Sequence, residues 1–119
     1  MNLRIRRVSE LVKQEVSEIV RRDVSTGDLG LITVTGAEVA SDLKTARVYV
    51  SMIGPKAKRG DAIHLLQRQR LHIQNELRKR IVLKYIPHLE FEYDDSLERG
   101  DRLLQIMDEL EKESGQKKP

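Results

Sequence analysis

The stretch GDAIHLLQRQRLHIQNELRKRIVLK at residues 60–84 decides how the rest of the chain must be arranged. Its apolar residues Ile63, Leu66, Ile73, Leu77 and Ile81 recur at spacings of three, four and seven, so they line one face of a helix and seek a core. The pattern predicts a single long amphipathic helical region. Arg68, Arg70, Arg78, Lys79, Arg80 and Lys84 project from it or just beyond it, and Lys56, Lys58 and Arg59 precede it. Only Asp61 and Glu76 offset them, so residues 56–84 hold nine basic side chains against two acidic ones.

Whole-chain numbers conceal this asymmetry, since a formal net charge of +3 and a pI near 9.3 describe a mildly basic protein. Residues 90–113 reverse the balance, with ten Asp and Glu side chains against Arg99, Arg102 and Lys112. One basic and one acidic half-surface would both attract and orient a polyanion, which makes nucleic acid the first partner to consider. The plainer alternative is that the charges are solvated helix faces kept for solubility.

A chain of 119 residues is one domain with room for a real hydrophobic core. The absence of cysteine excludes a disulfide framework, a thiolate nucleophile and thiolate metal ligands. No apolar run approaches the roughly 20 residues that span a bilayer, and the opening Met-Asn-Leu-Arg-Ile-Arg-Arg lacks the apolar segment of a secretory signal, so a cytoplasmic protein without a membrane partner is expected. The basic N-terminal segment resembles a membrane-surface helix, but Glu10, Glu15 and Glu18 and the lack of a large aromatic anchor argue against that use.

The first element is predicted over residues 3–22, with Val8, Leu11, Val12, Val16, Ile19 and Val20 on one helical stripe and Asn2 or Ser9 as its cap. Arg4, Arg6, Arg7, Lys13, Arg21 and Arg22 decorate its polar side, for solubility or for phosphate contacts. Residues 23–30 cluster turn formers. A strand at residues 31–40, with a bulge or bend at Gly36, is followed by an alternating strand at residues 45–52, and the link of Ser41-Asp42-Leu43-Lys44 suits a hairpin. Residues 53–59 form an exposed loop. Pro87 breaks the helical region, after which Leu89, Phe91 and Tyr93 alternate with Glu90 and Glu92 as a third strand. Asp95 and Glu98 have the spacing of a capping box for a last helix with Leu97, Leu103, Leu104, Met107 and Leu110 on its apolar stripe, and residues 114–119 are expected to be a disordered tail.

This order describes an α+β domain with helices on one face of a small sheet, leaving the pairing sense of the third strand open. An aromatic base-stacking sheet is disfavoured, because Tyr49, Tyr85, Phe91 and Tyr93 are the only aromatic residues. An enzyme is disfavoured as well. Asp94 and Asp95 point to opposite faces of a strand and suit capping better than magnesium; His64, His72 and His88 lack the spacing of a metal site or a triad; and no glycine pattern forms a phosphate loop. A protein-docking module using the acidic last helix is the third class, compatible with nucleic-acid binding.

Three segments carry a resemblance. They are Arg-Val-Tyr-Val-Ser at Arg47 to Ser51 after Ala-Ser-Asp-Leu, Tyr-Ile-Pro-His-Leu-Glu-Phe-Glu-Tyr-Asp-Asp-Ser at Tyr85 to Ser96, and Arg-Val-Ser-Glu-Leu-Val-Lys-Gln-Glu-Val-Ser-Glu-Ile-Val at Arg7 to Val20. Together they resemble bacterial ribosome-binding factor A over roughly residues 7–110, the segment from the proline to Asp-Asp-Ser being the most specific. The resemblance implies a type II KH-like fold, in the order α-β-β-α-α-β with a small three-stranded sheet and an added C-terminal helix, as one RNA-binding domain over residues 1–113. It implies a monomeric, non-enzymatic assembly factor without cofactor or metal. That factor binds the free 30S small ribosomal subunit during late 16S rRNA maturation near the 5′ terminal helix, supports growth in the cold and leaves before translation. Ribosomal proteins or an assembly GTPase are further partners on this reading; the alternative is a generic RNA-binding or protein-docking adaptor.

The RNA-binding residues expected are Arg68, Arg70, Arg78, Lys79, Arg80 and Lys84, assisted by Arg4, Arg6 and Arg7 and by Lys58 and Arg59. One departure matters: the family's Ala-x-Gly element in the long helical region is replaced by Gln69-Arg70-Leu71. Without glycine the backbone approaches phosphate less closely, so either Arg70 substitutes for backbone contacts or the helix runs on unbroken.

Overall fold

Leu3–Asp23 form α1 because a stripe of Val8, Val12, Val16, Ile19 and Val20 is buried along one side of it. Asn2 caps it, its side-chain oxygen accepting the Arg4 N–H at 2.7 Å, while Arg21 and Arg22 in the last turn face the negative end of the helix dipole. Ser9, the other candidate cap, is buried, and its Oγ accepts the Val39 N–H at 3.0 Å, tying the helix to the sheet. Leu11, expected in the core, sits off the buried stripe and is exposed. The structure, a computed structural model, describes residues 2–96.

A 3-10 turn at Gly27–Leu29 leads to β1, Leu31–Val39, which pairs antiparallel with β2, Thr45–Ile53, in a hairpin. The register shifts between Val34 and Gly36, making Thr35 the extra residue of a bulge beside the expected glycine. Thr35 Oγ1 lies 2.7 Å from Asp94 Oδ2 and 3.3 Å from the Tyr49 carbonyl, and its single proton goes to the nearer carboxylate. Asp94 Oδ1 also accepts the Ser96 N–H at 2.9 Å, a local turn-capping role.

After a second 3-10 turn at Lys56–Lys58 come α2, Arg59–Arg68, and α3, Arg70–Arg80, and then β3, His88–Tyr93. β3 lies parallel to β2, with Thr45 opposite His88 and Val50 opposite Tyr93, so the pairing left open by the sequence is settled by the α2–α3 crossover. The fold is α+β in the type II KH-like order, with a mixed three-stranded sheet in the order β1-β2-β3.

α1, α2 and α3 cover one sheet face. Ile32, Val34, Val48, Val50, Leu89 and Phe91 from the strands meet the α1 stripe and Ala62, Leu66, Ile73, Leu77 and Ile81 in one core. The helical region is two helices, which closes the question of the kink left open by the sequence and agrees with the α-α order that the resemblance implies. Gln69, at φ −91° and ψ 2°, separates them in backbone space open to any L-residue, so the missing glycine does not prevent the break. Its N–H still bonds to the Leu65 and Leu66 carbonyls at 3.1 Å, and its carbonyl accepts from Ile73 at 2.9 Å, so the bend leaves no orphaned peptide group there. The region also ends at Arg80 and not at residue 84, because Ile81 turns extended and buries its side chain in the core. The predicted last helix, the capping role of Glu98 and the tail at residues 114–119 lie outside the described residues. Among the described residues no helix is long and apolar enough to cross a membrane.

Candidate nucleic-acid interface

Contacts between α1 and α3 determine which cations face solvent. His72 Nε2 lies 2.8 Å from Asp23 Oδ2, and Arg22 Nη2 donates to Glu76 Oε1 at 2.7 Å. Further along α3, Lys79 Nζ reaches Glu76 Oε2 at 2.8 Å, while Arg80 Nη1 reaches Glu15 Oε1 at 3.3 Å and Glu18 Oε2 at 3.6 Å. As α3 advances, its partners on α1 recede toward the start of that helix, so the two run antiparallel. The Arg22 guanidinium, then His72, hold the Asp23 carboxyl far below the usual carboxylate range; Lys79, then Arg22, lower Glu76.

The end of α3 consequently lies beside Glu15 and Glu18, partway along α1, and the first turns of α1 run on beyond it in the same direction. Arg4, Arg6 and Arg7 are exposed on the first turns of α1, Arg78 and Lys79 on the last turn of α3, and Lys84 on the loop beyond it, with Lys79 tied through Glu76 to Arg22 in the last turn of α1. Arg78 donates to the neutral Asn75 side chain at 3.4 Å, so its charge stays uncompensated in that contact. Arg80 belongs to the same turn but points inward: its side chain is 19% exposed and occupied by Glu15 and Glu18.

At the other end of α1, a cleft of about 480 Å³ opens between the Ser25–Leu29 segment and α2, with Lys58, His64 and Arg68 on its walls beside Asp28 and Asp61. Lys58 Nζ is 4.0 Å from Asp28 Oδ2, a long and exposed pair that a phosphate displaces at little cost. α1 separates the two basic ends by about 32 Å.

Two expected residues sit apart from both ends. Arg70 is half-buried and lines a groove at the β3 edge with Arg47, Glu90 and Glu92. Arg59 places its guanidinium 4.5 Å from the Tyr93 ring centroid. The eleven residues thus do not form one continuous face: Arg4, Arg6 and Arg7 lie on the first turns of α1, Arg78 and Lys84 at and beyond the end of α3, Lys58 and Arg68 at the cleft, and Arg70 in the groove at the β3 edge, while Arg59 meets a ring and Lys79 and Arg80 meet carboxylates.

The opposite surface of the sheet carries Glu38, Glu90 and Glu92 in exposed positions, with Arg47 Nε 3.0 Å from Glu92 Oε2 and the Tyr49 hydroxyl donating to Glu38 Oε1 at 3.2 Å. Cations on the helical layer and carboxylates on the outer sheet face give the described residues an electrostatic polarity without the acidic C-terminal segment, which lies outside them. Sequence reasoning missed Ser25, Thr26 and His64 as cleft residues; their only local signal is two hydroxyls ahead of Gly27, an ordinary turn composition.

Comparison with known proteins agrees with this architecture. The family pattern described as ribosome-binding factor A matches residues 4–107. Ribosome-binding factor A of Desulforamulus reducens is 36% identical over 110 residues, covering 92% of each chain, and that of Macrococcus caseolyticus is 34% identical over 113 residues, covering 95% of this chain and 99% of its own. The crystal structure of ribosome-binding factor A from Thermus thermophilus superposes with a TM-score of 0.67 at 21% identity, covering 75% of this chain and 94% of that one. A Thermus thermophilus ribosome-binding factor A homology model, fitted into a cryo-EM map of a complex with the 30S subunit, gives a TM-score of 0.64 at 22% identity over 73% of this chain and 91% of that one. With the family pattern spanning α1 through β3 and the relatives above 30% identity over nearly their full length, the chain belongs to the ribosome-binding factor A family.

Proposed function

We propose that this chain is a non-catalytic assembly factor that binds the small ribosomal subunit through rRNA phosphates at the two basic ends of α1. Membership of the family supports a ribosomal partner, and the placement of a relative in a 30S map supports the small subunit. The observation that carries the phosphate reading is that Arg4, Arg6 and Arg7 on the first turns of α1, and Arg78 and Lys84 at and beyond the end of α3, are exposed cations of the helical layer. Each phosphate neutralised there releases counterions, which gives affinity that falls with salt. The carboxylates of the outer sheet face turn that side away from RNA, so the subunit meets the helical layer. Late 16S rRNA maturation near the 5′ terminal helix and support of growth in the cold complete the proposed role.

Co-sedimentation with purified small subunits over a salt series tests this. The triple variant Arg7→Glu, Arg78→Glu, Lys84→Glu is expected to lose pelleting at low salt and to flatten the salt dependence by about one unit per lost contact. Unchanged pelleting and an unchanged slope overturn the assignment. Arg80 is left intact, because a carboxylate there would face Glu15 and Glu18 and report on folding instead of binding.

A further inference from the structure

The chain has four aromatic rings, and the fold accounts for three of them. Phe91 is buried in the core, Tyr93 lies under the Arg59 guanidinium, and Tyr49 donates its hydroxyl to Glu38. Tyr85 is different: it is 62% exposed, and Lys84 Nζ, 5.5 Å from its centroid, is its ring contact among the described residues. Val82, three residues earlier, is fully exposed.

The loop bearing these two side chains is pinned. Ile81 and Pro87 are buried at its ends, and Leu83 and Ile86 are half-buried between them. A loop anchored at four points cannot fold an exposed ring back into the core, so Val82 and Tyr85 are held in water. Residues 77–88 contain Arg78, Lys79, Arg80 and Lys84 and no acidic residue. Lys79 is bonded to Glu76 and Arg80 turns to Glu15 and Glu18, which leaves the exposed Arg78 and Lys84 as the cations beside an apolar seat, a combination that matches a partner offering a flat apolar face on an anionic backbone.

We propose that Tyr85, with Val82 beside it, is a stacking seat for a single unpaired RNA base, and that Lys84 and Arg78 take the flanking phosphates. This deepens the reading above and rests on it. Every base has a π face, so the seat recognises an unpaired nucleotide and not a sequence; bases inside a duplex are already stacked and cannot enter. The contact between Lys84 and the ring is exposed and weak, so the ammonium is free to swing to a phosphate once a base covers the tyrosine. The seat follows directly on the end of α3, so one RNA contact there reads two things: a backbone, through Arg78 and Lys84, and an unpaired base, through the ring.

The test uses the full chain and fluorescence anisotropy with an unstructured single-stranded RNA and an RNA duplex of equal length. Tyr85→Ala is expected to weaken single-strand binding about 5- to 20-fold, with duplex binding unchanged. Tyr85→Phe, which keeps the ring, is expected to restore it. Lys84→Ala is expected to reduce the salt slope by about 0.7, whereas Tyr85→Ala leaves the slope as it was, a distinction that loss of folding would not produce. The proposal is overturned by wild-type single-strand affinity in Tyr85→Ala, by failure of Tyr85→Phe to restore binding, or by a wild type that does not hold the free single strand. Loss of subunit binding in Tyr85→Ala with single-strand affinity intact also overturns it, and identifies a protein partner for the patch. If wild type pellets with small subunits in a salt-dependent way while Tyr85→Ala matches it on RNA, the seat alone falls; if wild type does not pellet, the ribosomal reading falls first.

Discussion

Arg80 Nη1 on α3 sits 3.3 Å from Glu15 Oε1 on α1, with side-chain exposures of 19% and 25%. In sequence, Arg80 is the last of three consecutive basic residues and is indistinguishable from Arg78 and Lys79. In the fold it is a cross-helix tie, shared with Glu18.

Arg80→Ala is therefore expected to lower unfolding free energy by about 1–2 kcal/mol, since it strands two carboxylates that are only partly in water. It should leave the salt slope of subunit binding unchanged, whereas Arg78→Ala should do the reverse. Urea unfolding and salt-titrated co-sedimentation, run on both variants, check this. A flattened slope without destabilisation in Arg80→Ala would show that the residue swings out to meet RNA.

Acid pH should loosen the same helix pair. The Asp23 and Glu76 carboxyls are depressed below their ordinary values of 3.8 and 4.5 by Arg22, His72 and Lys79. A depressed folded-state pKa means the contribution is complete above those ordinary values and is lost as pH falls below them toward the folded values. Thermal melts between pH 7 and pH 3 should show a fall in the midpoint beginning near pH 4 to 5, and the fall should be shallower in the double variant Asp23→Asn, Glu76→Gln. An identical pH profile in that variant would remove these carboxylates from the account.

Ser9→Ala should destabilise the fold by about 1–3 kcal/mol. It removes the acceptor of the buried Val39 N–H at 3.0 Å and leaves that donor unsatisfied at the junction of α1 and β1. Ser9→Thr, which keeps the hydroxyl, is the control. Chemical denaturation reads both; equal stability of Ser9→Ala and wild type would mean that another acceptor takes over.

Gly30→Ala should cost on the order of 3 kcal/mol. The residue sits at φ +104°, and an added Cβ would collide with the Ile53 carbonyl across the open end of the hairpin. Gly60, where a Cβ would meet nothing within 4 Å and no positive φ applies, is the contrasting site, and Gly60→Ala should be neutral or slightly stabilising. Thermal midpoints of the two variants check the difference, and a Gly30→Ala protein that melts with wild type would refute the close crossing.

Much of this molecule is legible locally. The spacing of Val8, Val12, Val16, Ile19 and Val20 predicts α1, and the alternation of Ala46, Val48 and Val50 predicts the buried face of β2, because those periodicities record which side of each element meets the core. The break at Gln69 was hidden for the same reason: Ala62, Leu66, Ile73 and Leu77 keep an unbroken helical spacing across it. Tyr85 was hidden too. In a chain so poor in aromatics, nothing local distinguishes a ring in the core from one held out in water.

The sequence by itself determined the elements, the single core and the amount of charge available for a polyanion, since these depend on residue type and local spacing. Tertiary structure decided the parallel placement of β3 and the inward turn of Arg80. It also spread the remaining exposed cations over the first turns of α1, the end of α3 and the cleft beside α2. A side chain's charge is local chemistry, but whether that charge is spent on a neighbour or left for a ligand depends on what the fold brings within a few ångströms of it.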